Sequence, residues 1–488
     1  MHSIATLYVT LSHALKRYEL FDSLQLIWGF SRNLIFDLPI PEDIELSPSF
    51  SYEADKQNRR FSTLPEFEME FLVKEIIINC STAKQPVTLK THNNIQSIIR
   101  YVRYLDDEIV RQFATDNILL EFNRMVHRQF IWQYEYHTSI VMRYYKLYTH
   151  KDVIGTFESS IGLTPHQATI IGLAFFQSLG KHFAMPHYKH SNVPGITIEM
   201  FNKFLSLFSS PIDDLRNELI SNQKLDQNLF YTYNPLLAKP IIAYKEFLLC
   251  PIPSLIFWKM TGGFYYSLVG KNNFEAFGKA FEDYVGEVIQ AANTKNIITA
   301  LPEQTYGKQE KKSADWVIYD SDAVLFVECK VKRMTLNSKT SLQIDSESGM
   351  LDDLTSLASA VVQLYKTFID YQNGKYSLLT YDNTKKFYPV VVTLEEWFLP
   401  INPLLMQTLH EKVEEKLSAS NLDVNLTKLH PFHISSVDHF ENHIQIIQEK
   451  GITHFFDLLN SNNLSQRDYK HLFAGQFEEL ILKPVKLT

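Results

Sequence analysis

The chain reads as an α/β unit set behind a mainly α-helical N-terminal half. Three observations carry that reading. The first half repeats its apolar residues at helical spacing. Two alternating runs between Ser313 and Arg333 read as a pair of strands joined by a tight polar break. Helical stripes flank that pair, at Phe274–Ala292 and from Asp352 to Tyr371, and a further apolar run, "KFYPVVVTLEEWF", follows. Helix, strands, helix and strand in that order predict a sheet covered by helices.

Composition narrows the function classes. A chain of 488 residues is too long for one ordinary domain. Its 45% hydrophobic and 21% charged residues give a soluble globular balance, and 16 Gly against 34 Phe and 25 Tyr favours helix-rich packing. Cys80, Cys250 and Cys329 show no paired spacing. That excludes a disulfide scaffold or a cysteine zinc site and fits a reducing cytoplasm. The opening "MHSIATLYVTLSHALKRYEL" lacks the regions of a signal peptide. "FLLCPIPSLIFW" (Phe247 to Trp258) is too short and too proline-marked to cross a bilayer, so no membrane partner is expected. The net charge of −8 excludes a chain basic all over, although a local basic face would suffice for nucleic acid. Lys308, Lys311, Lys312, Lys330, Lys332, Arg333 and Lys339 concentrate around the strand pair. Taken alone, they read as a solvated surface.

In chain order, "NNIQSIIRYVRYLDDEIVRQF" (Asn93 to Phe113) carries a helical stripe, and the region Leu38 to Arg60 is a polar loop. Thr164, Pro165 and Gln167 make an N-cap, a first-turn proline and a capping box. Residues 235–270 read as strands or turns, with a boundary at Gly270 to Asn273. The helix Phe274–Ala292 contains two costly glycines, Gly278 and Gly286, four residues either side of Glu282. Their spacing predicts close backbone approach along the stripe that holds Glu282. A helix over "DDLTSLASAVVQLYKTFIDY" buries Leu354, Leu357, Ala358, Val361, Leu364, Tyr365 and Phe368. The tail beyond Asn402 is mainly helical, with one short strand near "LHPFHIS".

The run 323–332 alternates. Ala323, Leu325, Val327, Cys329 and Val331 face one way; Val324, Phe326, Glu328, Lys330 and Lys332 face the other. Its start is apolar on both faces, as in a central strand. If Ser321-Asp322 is a two-residue turn, Asp315 lies opposite Glu328. Two acids so placed need a cation between them. Lys330 shares their face. A divalent metal held by Asp315 and Glu328 with an ammonium beside it is equipment for phosphodiester hydrolysis.

This ordered set, Asp315 followed by Glu328-Cys329-Lys330 on a hairpin, resembles the catalytic motif of the PD-(D/E)XK nuclease superfamily, with Ala314 where the motif's name has proline. The resemblance covers about residues 272–400. It implies a restriction-endonuclease-like α-β-β-β-α-β core, whose first strand falls in "NIITALPEQTYG". It also implies Mg²⁺, with Mn²⁺ as a substitute, bound by Asp315, Glu328 and the carbonyl of Cys329. Lys330 would place the water, Glu282 would assist from the preceding helix, and Gln363 from the following one, near Tyr365 and Lys366.

The expected organisation is a helical recognition, regulatory or oligomerisation domain over 1–270, a nuclease core over 271–400 and a helical extension over 401–488. The expected partner is nucleic acid, DNA before RNA, with a second copy or a regulatory protein as a further partner. The layout resembles bacterial defence or restriction-type nucleases. Two other readings compete: a surface salt bridge on an edge strand, and a catalytically silent nucleic-acid-binding or scaffold subunit. No G-x-S-x-G elbow and no G-x-x-x-x-G-K-[ST] loop is present, and "HFENH" has its Glu at the wrong position for a zincin. It reads as a helix face after a Ser435 or Ser436 cap, and His182, His187 and His190 read as loop residues.

Overall fold

The computed structural model of the chain describes residues 3–45, 64–113, 118–129, 138–187, 195–269, 274–308, 310–376, 379–461 and 471–483. Part of the expected Leu38–Arg60 loop, His190 and the expected boundary at Gly270 to Asn273 lie outside them.

The first half is helical, with a small four-stranded sheet built from Ala184–Pro186, Phe247–Leu249, Ile241–Tyr244 and Ser209–Pro211. Sequence pattern placed two of its helices. The stripe at 93–113 becomes the helix His92–Phe113. Thr164 caps Pro165–Lys181 with both bonds of the capping box. The stretch 235–270 is only partly extended. After the hairpin 241–249 the chain turns helical, in Ser254–Trp258, a wider π-turn at Lys259–Gly263, and Phe264–Val269. Proline frequency suggested strands there, but Pro253 sits in helical conformation as an N-cap, where its missing N–H costs nothing.

The second half begins with α1 (Phe274–Ala292), followed by β1 (Thr299–Pro302), β2 (Trp316–Tyr319), β3 (Ala323–Lys330), α2 (Met350–Gln372) and β4 (Lys386–Thr393). Then come α3 (Pro403–Ala419), β5 (His433–Ser436), α4 (Val437–Lys450) and α5 (Ile452–Asn460). The mixed sheet runs β5-β4-β3-β2-β1. The β1–β2 and β2–β3 pairs are antiparallel, while β3–β4 and β4–β5 are parallel. Strand β3 is therefore central, and the edge-strand reading of Glu328 and Lys330 is overturned.

The alternation of β3 separates two apolar cores. Val324 and Phe326 join Val317, Phe387, Val391 and the buried face of α2. Ala323, Leu325 and Val327 join α1, α4 and many residues of the helical half, among them Leu147, Phe157, Phe204 and Phe264. Leu268 and Phe277, on either side of the expected boundary, belong to this one core. The two halves are thus welded by burial, and each apolar side chain so enclosed contributes about 1.5–3 kcal/mol.

Candidate active site

The β-hairpin sets the site. Asp320 N–H donates to the Ala323 carbonyl at 3.1 Å, closing a two-residue turn over Ser321 and Asp322. The ladder runs Tyr319 opposite Val324 to Trp316 opposite Val327. One further step places Asp315 opposite Glu328, the register that the turn length predicts. Beyond the ladder, Cys329 N–H turns to the Asp315 carboxylate, donating to Oδ2 at 2.7 Å.

Asp315 and Glu328 are nearly sealed, 6% and 2% exposed. Lys330, two residues on and on the same face as Glu328, donates to Glu328 Oε1 at 2.8 Å and keeps 34% of its side chain exposed. Glu328 Oε2 is buried with no hydrogen-bond partner. Burial, then the neighbouring Glu328 and Glu282, push Asp315 up to about 8. Burial also raises Glu328, against the pull of Lys330. Burial works against the Lys330 ammonium, but Glu328 outweighs it and holds its pKa above the ordinary value.

Helix α1 brings Glu282 to this hairpin. Trp316 Nε1–H donates to the Glu282 carbonyl at 2.9 Å. A Cβ on Gly286 would lie 2.0 Å from the Trp316 ring, so this glycine lets the tryptophan pack. Gly278 faces open space and carries no such contact. The close approach expected of both glycines holds for Gly286 alone. The Glu282 side chain pairs with Lys279 at 3.0 Å, and its charge is felt by both Asp315 and Glu328. Gln363 is half-buried on α2, and no hydrogen bond joins it to these residues. Tyr365 is buried and donates to the His430 carbonyl, and Lys366 is exposed.

One group near the site went unread in the sequence, and its partner Lys312 was read only as part of the basic concentration. Glu303, just past β1, pairs with Lys312 at 2.9 Å, and its charge reaches Glu328. Both stand where the β1–β2 pairing gives way to the short Thr305–Tyr306 and Lys311–Lys312 ribbon. An irregular join of this kind breaks the period-two pattern that could have flagged Glu303.

The local basic concentration is mostly paired with acids, at exposed or half-buried positions. Lys311 pairs with Asp370, Lys312 with Glu303, Lys332 with Asp353 and Lys339 with Glu395. Lys308, Lys311 and Lys312 are exposed, as the solvated-surface reading expects, while Lys332 and Lys339 are half-buried. In "HFENH", Ser436 caps the helix and His439 pairs with Glu396 at 3.0 Å.

Among the described residues, no three His, Cys, Asp or Glu side chains stand close enough together to hold a metal ion. The acidic donors facing each other across the hairpin are two carboxylates, with the Cys329 main chain beside them. That set is hard and oxygen-rich, suited to Mg²⁺ or Mn²⁺ completed by water, and its orphaned Glu328 Oε2 is an acceptor without a donor. Among the described residues, no helix is long and apolar enough to cross a membrane. No protein-family model matches this chain, and no curated protein or solved structure matches it either.

Proposed function

We propose that this protein is a divalent-cation-dependent nuclease that hydrolyses phosphodiester bonds, with DNA as its substrate and bacterial defence against foreign DNA as its setting. One observation carries the reading: Asp315 and Glu328 are buried together just past the end of the β2–β3 ladder, close enough for the Glu328 charge to raise Asp315, with Lys330 paired to Glu328. The element order α-β-β-β-α-β supports it, being that of the restriction-endonuclease-like core. A reducing, cytoplasmic setting is part of the proposal, and the three free cysteines are compatible with it.

Asp315, Glu328 and the Cys329 carbonyl would hold the cation. When bound, it would polarise the phosphate and lower the pKa of a water. The chain's own groups do the rest. The Asp315 carboxylate is oriented by Cys329 N–H. Lys330 is the most exposed of the three side chains and is placed to meet negative charge developing on a phosphate. Glu282, tethered through Trp316, adds negative potential that favours a cation in the notch. Gln363 remains part of the proposal as an outer residue on α2.

The test is incubation with supercoiled plasmid, linear DNA and RNA, with Mg²⁺, Mn²⁺ or EDTA. Cation-dependent cutting, lost in Glu328→Ala and Lys330→Ala while the fold is kept, is expected. Equal cutting by both variants and the wild type would sink the assignment. A second reading, a catalytically silent nucleic-acid-binding or scaffold subunit, draws on the near-complete enclosure of the two acids. It predicts binding without cleavage and indifference to both substitutions.

A further inference from the structure

The strand end beyond Lys330 is gripped from two sides. On one face, Lys332 pairs with Asp353 at 2.9 Å, and Asp353 also accepts from Thr335 N–H at 2.9 Å and Ser338 Oγ at 2.6 Å. This fastens the strand end to the first turn of α2. On the other face, Arg333 reaches into the helical half. Its Nη1 donates to the Gly262 carbonyl at 3.1 Å, and its Nη2 donates to the Tyr144 hydroxyl at 2.6 Å. The guanidinium lies 4.4 Å from the centre of the Tyr265 ring and 5.3 Å from that of Tyr266. The Tyr265 hydroxyl in turn donates to the Val331 carbonyl at 3.0 Å.

Gly262 makes this approach possible. A Cβ there would stand 3.2 Å from Arg333 Nη2 and 3.3 Å from the Tyr144 hydroxyl. It belongs to the π-turn Lys259–Gly263, the kind of widened turn that recurs at functional positions. Among the described residues no carboxylate pairs with Arg333. Its partners are a carbonyl, a phenol and three ring faces, so the planar fork is used for shape, which a lysine would not reproduce in full.

We propose that Arg333 is a positioning residue for Lys330. Through Tyr144, Gly262 and Tyr265, the helical half fixes the strand end on which Lys330 stands, and the site is assembled only while the 259–265 segment grips that strand. The inference rests on the nuclease reading for the role of Lys330. It makes the helical half part of the active site's scaffold.

The test pairs hydrogen exchange with cleavage in the full chain. Arg333→Met keeps the stem and removes the fork. Amide exchange over residues 328–334 is expected to quicken by about tenfold or more, and kcat on plasmid to fall by a similar factor with KM unchanged. Arg333→Lys should recover part of both. Wild-type exchange in that window together with wild-type kcat would overturn the proposal, as would protection lost uniformly along the chain. Should Arg333→Met fail to fold, Tyr144→Phe removes a single acceptor. A rise in exchange confined to the same window supports the clamp, and no rise overturns it. If the wild type cuts nothing, the nuclease reading fails, and exchange over 328–334 decides the clamp by itself.

Discussion

Two buried charged centres invite comparison. At the seam between the halves, Arg143, 3% exposed, pairs with Asp438 at 2.7 Å and with Glu441 at 2.8 Å, and Tyr284 donates to the same Glu441 oxygen at 2.7 Å. At the hairpin, Asp315 and Glu328 face each other with Lys330 as the near cation, and Glu328 Oε2 has no partner. Burial raises the pKa of Glu441 and of Glu328 alike. The difference lies in the partners. The Arg143 cluster closes on itself, as a structural junction must. At the hairpin one carboxylate oxygen, Glu328 Oε2, is left buried without a donor, and such an orphan acceptor marks a place suited to receive something.

The comparison breaks most sharply at Arg143. Arg143→Met strands two acids at the seam and should cost about 3–5 kcal/mol of stability, read from urea unfolding. A loss below about 1 kcal/mol would make the seam as tolerant as an exposed ion pair. At the hairpin the same kind of change should act on function first. Glu328→Gln should cut cleavage by about 10²-fold or more, yet cost less cation-free stability than Arg143→Met, because Lys330 keeps access to solvent and Glu328 Oε2 had no donor to lose. A large stability loss there would class the two centres together. Tyr284→Phe, which deletes one bond to a charged acceptor, should cost about 1.5–3 kcal/mol and leave cleavage rates alone.

A further effect is a slope with pH. With Asp315 raised to about 8 in the folded state, the native chain keeps a proton that the unfolded chain has released. Its contribution to stability is present below the unfolded carboxylate pKa of about 4 and falls as pH rises toward 8. Asp315→Asn should flatten that part of the stability–pH curve. Mn²⁺, which competes with the proton, should bind the wild type more tightly at the upper end, as titration calorimetry would measure. A wild-type slope of the opposite sign would remove the pairing of Asp315 with Glu328 as its source.

Local chemistry was the legible part. The turn at Ser321-Asp322, the opposition of Asp315 and Glu328, the capping box at Thr164 and the span of α1 follow from neighbours in sequence. What escaped depends on distant chain. Arg143 meets Glu441 across 298 positions, and nothing near either residue announces the pairing. Glu303 sits where strand pairing becomes irregular. The helical turns at 254–269 were hidden by prolines and paired glycines that elsewhere break helices. Gly278 shows the limit of spacing arguments, since it shares a stripe with Gly286 and touches nothing.

The apolar core that passes uninterrupted from Leu268 to Phe277 has a practical corollary. A truncated gene starting at Phe274 would encode a sheet stripped of its cover, with Phe281, Val285 and Leu325 wetted on one side, and such a product should clump instead of folding. The join at 268–277 therefore offers no clean seam at which to separate the sheet from its helical cover.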